Sequence, residues 1–95
     1  MQPDIVVHAR RCQGADDSGP RVGLVVSKSV GGSVQRHRVA RRLRHVARSV
    51  IEDLDPTDRI VIRARPSSRD AISARLEQQL RVALTKAHLL DGARR

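Results

Sequence analysis

From Lys28 to Arg48 the chain carries one lysine and six arginines, with His37 and His45 among them, and no acidic residue occurs from Arg21 to Ile51. Guanidinium groups make planar, bidentate contacts to phosphate oxygens, so several of them on one rigid element form a surface that tracks a phosphate backbone rather than a pocket for one ion. Such crowding has a cost. Like charges at i,i+3 or i,i+4, as in Arg38, Arg41 and Arg42, repel by a few tenths of a kcal/mol per pair. A polyanion relieves that repulsion, whereas a face that serves solubility alone mixes its signs.

Other chemistry is poorly represented. His8, His37, His45 and His88 are dispersed, without metal-ligand spacing to Cys12 or a carboxylate partner, so neither a zinc site nor a nucleophile triad is supported. Gly31-Gly32 lacks the Gly-Lys-Ser/Thr continuation of a phosphate-binding loop, and Asp16-Asp17 reads as a solvated turn. Phe, Tyr and Trp are absent, which leaves only His and Arg planes for stacking on bases. Ser67, Arg69 and Arg94-Arg95 read as ordinary surface, since their segment also carries Asp70, Glu77 and Asp91.

The elements that must position the basic run follow from patterning. Ninety-five residues allow one domain, residues 1–95, with an apolar share of 39% and a net charge of +9, which points to a polyanionic partner. A single cysteine, no apolar run near the ~20 residues of a membrane span and no signal peptide predict a soluble, cytoplasmic protein.

Ile5 to Arg10 reads as a strand, Gln13 to Pro20 as a loop, and Arg21 to Lys28 as a second, interior strand; the two are expected to form an antiparallel hairpin. From about Val34 the period changes. Val39, Leu43, Val46, Ala47, Val50 and Ile51 form the core stripe of a helix reaching about Leu54, with Ser33 as its N-cap. His37, Arg41, Arg44 and Arg48 lie opposite the stripe, and Arg38, Arg42 and His45 flank it. Asp58 to Arg65 forms a third strand, ended by Pro66.

A last helix is expected to start at once, with Ser67 and Asp70 as a capping box and Ile72, Leu76, Leu80, Ala83, Leu84, Ala87 and Leu90 on its core face. Asp91-Gly92 closes it and residues 93–95 form a frayed tail. The order β-β-α-β-α defines an α+β chain, a small α/β sandwich with helices packed on a sheet.

The run from Arg21 to Arg44 resembles the signature of the bacterial ribonuclease P protein subunit: a strand ending Ser27-Lys28, then Val30-Gly31-Gly32-Ser33-Val34, then Arg36-His37-Arg38 continuing Arg41-Arg42-Leu43-Arg44. Asp58 to Pro66 and the closing helix are similar to the rest of that family. The resemblance implies the ribonuclease P protein-like fold (ribosomal protein S5 domain 2-like), with a left-handed crossover between the second and third strands. It also implies an RNA-dependent endonuclease that trims precursor-tRNA 5′ ends, in which the RNA subunit and its Mg²⁺ ions carry the chemistry. By that resemblance Lys28, Arg36, His37, Arg38, Arg41 and Arg44 contact the catalytic RNA, with Arg42 and Arg48 supporting. One sheet face, bearing Val6, His8 and Arg10, meets the 5′ leader.

Four departures stand out: Gly32 replaces a usual Asn, His37 the middle Asn of the helix motif and Ala40 a usual Lys. The family's leading helix and further strand have no counterpart here, and without them exposed sheet surface makes self-association an expectation. The rival from another class is a general RNA chaperone or ribosome-associated module with the same basic helix. A DNA-reading regulator would need a support helix and base-reading Asn or Gln. A membrane-active cationic helix is disfavoured because the apolar stripe is needed for the core.

Overall fold

A computed structural model describes residues 2–11, 21–54 and 58–87. Expectations for Cys12, Asp16-Asp17, His88, Leu90, Asp91-Gly92 and the 93–95 tail lie outside the described residues. The elements run β1 (Ile5–Arg11), β2 (Arg21–Val25), α1 (Ser33–Ile51), β3 (Asp58–Ala64) and α2 (Ser73–Lys86), with 3-10 turns at Lys28–Val30 and Pro66–Asp70. The order is the expected α+β one.

The three strands form one sheet in the order β1-β3-β2. β3 is antiparallel to β1, from Ile5 opposite Ala64 to Arg11 opposite Asp58, and parallel to β2, from Arg21 beside Arg59 to Val25 beside Arg63. The expected β1–β2 hairpin therefore does not form, and β2 is an edge strand rather than an interior one. The reason is topological. A helix between β2 and β3 makes them a parallel β-α-β pair, and β1 then takes the free edge of β3. β3 carries the strongest alternation, with Ile60, Ile62 and Ala64 buried and Val61 and Arg63 exposed. On β2 only Val22 and Leu24 turn inward, to half-burial.

Both helices lie on the inward face. The core joins Ile5 of β1 with Ile60 and Ile62 of β3, Val39, Leu43, Val46 and Val50 of α1, Leu76, Leu80 and Leu84 of α2, and Val30 of the 28–30 turn. At roughly 25 cal/mol per Å² of apolar surface removed from water, these two stripes are what the small sheet needs to be stable.

Helix ends depart from expectation. Gly32, not Ser33, is the N-cap of α1, and its carbonyl accepts the Arg36 N–H at 2.9 Å. Gly31 before it sits at φ 149°, where a Cβ would also come within 2.9 Å of Gln35 Cβ, so only glycine fits that turn. α1 ends at Ile51, and the turn beyond it tucks Leu54 into the core.

Ser67 and Asp70 form no capping box. They belong to a 3-10 turn, and α2 starts later, at Ser73, with Ile72 as N-cap. Ile72, expected in the core, is 69% exposed, and Ala87 is exposed as well. A long-range partner explains the turn. The Ser67 hydroxyl donates to Asp4 Oδ1 at 2.6 Å and to the Pro3 carbonyl at 3.0 Å instead of to its own segment.

Asp4 is the centre of that knot, 1% exposed just before β1. Its carboxylate also accepts from Arg75 Nε at 2.6 Å and from Gln79 Nε2, while its N–H donates to Gln79 Oε1 and its carbonyl accepts the Arg65 N–H. Burial alone would raise the Asp4 pKa. The bonds from Ser67, Gln79 and Arg75, with the Arg75 charge, outweigh it and hold the carboxyl below its usual value.

Candidate nucleic-acid interface

The first surface is the outer side of α1. Packing the Val39-Leu43-Val46-Val50 stripe inward turns His37, Arg38, Arg41, Arg44, His45 and Arg48 to solvent, all exposed. Among the described residues no side-chain hydrogen bond or ion pair engages Arg38, Arg41, Arg44 or Arg48. The helix has no acidic residue in its first turn. Its uncapped N–H groups and dipole therefore add to the cationic field at the Arg36–Arg38 end. Lys28 is exposed in the turn that leads into this end, where Ser27 and Ser29 share a 2.7 Å hydroxyl bond.

Two arginines of the run are placed differently. Arg36 is half-buried beside the apolar stripe, and its Nε is buried with no hydrogen-bond partner. Arg42 is also half-buried, and its Nη1 donates to the carbonyls of Arg69 at 3.0 Å and Ala71 at 3.2 Å. Periodicity had set Arg42 on the flank of the basic face. A partner twenty-seven residues away decides what that flank does.

The second surface is the open side of the sheet, the one that neither described helix covers. Register lines its outward residues into three rows: Val6–Arg63–Val25, His8–Val61–Gly23 and Arg10–Arg59–Arg21. Around the last two rows lies a cavity of about 290 Å³, lined by His8, Ala9, Arg10, Arg21, Gly23, Arg59, Ile60 and Val61. Gly23 keeps it open on the β2 side, since a Cβ there would have only Val61 Cγ2, at 3.8 Å, and a backbone oxygen in contact. Arg59 donates from Nη1 to the Asp58 carbonyl. Val6, His8 and Arg10 thus share one face, as their spacing requires. Sequence reasoning missed that Arg21, Arg59 and Arg63 join them; only the strand register shows it.

A mixed three-stranded sheet with one basic helix in a β-α-β unit and a second, packing helix defines a small α+β domain of the ribonuclease P protein type. A family model described as ribonuclease P matches residues 1–88. The chain is 62% identical over 92 residues to the ribonuclease P protein component of Mycolicibacterium vanbaalenii, covering 97% of this chain and 77% of that protein. With that of Mycobacterium ulcerans it shares 60% over 96 residues, covering 100% and 80%.

Among solved structures, the Staphylococcus aureus RNase P protein aligns with a TM-score of 0.78 at 22% identity, over 96% of this chain and 81% of that one. The Thermotoga maritima RNase P protein aligns with a TM-score of 0.74 at 21% identity, over 90% and 79%. The chain belongs to the ribonuclease P protein family. Membership implies a role in tRNA 5′ processing, as the protein component of an RNA-based endoribonuclease. Among the described residues no helix is long and apolar enough to cross a membrane.

Proposed function

We propose that this chain binds the RNA subunit of ribonuclease P through the outer face of α1 and the precursor-tRNA 5′ leader through the open face of the sheet. Arg38, Arg41, Arg44 and Arg48 neutralise phosphates of the RNA subunit, with Lys28, Arg36 and His37 at the N-terminal end of the same surface. What carries this reading is that four exposed arginines, with no side-chain partner among the described residues, stand on a helix whose other side packs into the core. Their mutual repulsion costs stability, and RNA phosphates would remove that cost.

On the sheet, the rows of arginine and valine suit a single strand, with charge for its backbone and apolar surface for its bases. Among the described residues, His8 is the one ring on that face for stacking. The protein's part is binding and orientation. Hydrolysis and the Mg²⁺ ions that support it are assigned to the RNA.

Reconstitution tests the reading. Precursor-tRNA cleavage is measured with the RNA subunit at low Mg²⁺, with and without the chain. The expected result is that cleavage depends on the chain, and that a precursor with a truncated leader gains less from it. Unchanged cleavage, with RNA binding retained, would instead favour a general RNA chaperone.

A further inference from the structure

Arg42 and the 66–70 turn carry an inference that rests on the α1 reading and extends it. Arg42 spends its Nη1 on two main-chain carbonyls, those of Arg69 and Ala71, and so docks the end of the turn on the flank of α1. The bonds neutralise none of its charge. The same turn packs against the 28–30 turn that carries Lys28. Its three edges are each accounted for. In a 3-10 helix residues i and i+3 lie in line, so Ser67 and Asp70 share the edge that Ser67 turns to Asp4. Ser68 is fully buried, with its hydroxyl on the Arg65 carbonyl. The remaining edge, Pro66 and Arg69, is exposed, and among the described residues nothing engages the Arg69 guanidinium. Asp70, the nearest acid in sequence, lies on a different edge.

We propose that Arg69 is part of the surface that binds the RNA subunit, and that Arg42 is a positioning residue holding it beside Arg38 and Lys28. The interface is then built from two segments that are remote in sequence. Its ligand at Arg69 is a backbone phosphate of the RNA subunit, since the leader is assigned to the opposite side of the sheet.

The test is equilibrium binding of the full chain to ribonuclease P RNA, with far-UV circular dichroism and the unfolding midpoint recorded for every variant. Arg69→Ala is expected to weaken binding about tenfold or somewhat more, the lower end of the scale of one charge-assisted hydrogen bond, with its fold intact and Arg69→Lys largely restoring affinity. Lys86→Ala, on the far end of α2, should bind like the wild type. Arg42→Lys keeps the charge but not the planar fork. It should lose a similar factor, and the Arg42→Lys/Arg69→Ala pair should bind no more weakly than either alone, because a misplaced Arg69 has nothing left to lose. Additive losses would remove Arg42 from the positioning role.

If Arg42→Lys does not fold, the Arg69 series decides alone. Wild-type affinity in Arg69→Ala, alongside a loss in Arg41→Ala, would overturn this inference and leave the α1 reading standing. No loss in either variant would overturn both. Binding of precursor tRNA without the RNA subunit should be unaffected by Arg69→Ala; a loss there alone would assign the contact to the substrate instead.

Discussion

The outer face of α1 and the knot around Asp4 handle charge in opposite ways. On α1, Arg38, Arg41, Arg44 and Arg48 stand exposed without side-chain partners among the described residues, and none of them holds the helix, which packs through the apolar residues behind them and the bonds of Arg42 and Arg81 at its flanks. At Asp4 one buried carboxylate gathers Ser67, Arg75 and Gln79 and joins the start of β1 to the 66–70 turn and α2. The difference teaches that charge on this domain is structural where it is buried and satisfied, and available where it is exposed and crowded. Stability and RNA affinity should therefore respond to different residues.

The largest effect that would break this contrast concerns α1. Changing Arg38, Arg41, Arg44 and Arg48 together to Gln should lower affinity for the RNA subunit by about a hundredfold or more at physiological salt. The unfolding midpoint should stay level or rise slightly, because mutual repulsion is relieved. A drop in that midpoint would mean the arginines hold the fold.

Next comes Asp4→Ala, expected to cost about 2–3 kcal/mol in urea unfolding. It leaves the buried Gln79 Nε2 donor without its acceptor, while Ser67 keeps the Pro3 carbonyl, and the figure is discounted because Arg75 is more than half exposed. The pH dependence has a definite sign. The folded-state pKa of Asp4 is depressed, so its contribution is complete above the ordinary carboxylate value and disappears as pH falls through the lower folded one. The gap between wild type and Asp4→Asn should therefore be constant at neutral pH and narrow at the acid end. A gap that widens in acid would contradict the arrangement.

Sequence patterning reached these two regions unequally. The α1 stripe and its basic opposite face follow from a helical period that residues a few positions apart settle among themselves. Asp4 was silent, because its partners lie 63 to 75 residues away and a short polar residue after Pro3 has no local signature. Ser67 misled for the same reason: its spacing to Asp70 matched a capping box, but the distant Asp4 carboxylate is the stronger acceptor. Strand order was hidden because apolar β2 looks interior, while a crossover helix, not strand composition, sets which strand lies in the middle. The sheet rows that bring Arg21, Arg59 and Arg63 to Val6, His8 and Arg10 were hidden with it.

A smaller effect sharpens the comparison at the junction of the two regions. Gly31→Ala should destabilise by about 1–2 kcal/mol, from the positive φ and the clash with Gln35. It should also weaken RNA binding modestly, by tilting the start of α1; loss of stability with unchanged affinity would show that the Gly31 turn does not align the basic face. Smallest of all is Arg81→Ala. Arg81 links Glu77 and the Ser49 carbonyl across α1 and α2 from a partly exposed position. The variant should cost under about 1 kcal/mol and leave RNA binding unchanged.

The most direct measurement is the salt dependence of affinity for ribonuclease P RNA, in the wild type and in the variant with all four α1 arginines replaced. With about six phosphates neutralised, log affinity should fall against log salt with a slope of roughly −4 to −5, and the variant should lose about three from that slope. A flat wild-type line, or two parallel lines, would contradict the claim that the outer face of α1 meets the RNA backbone.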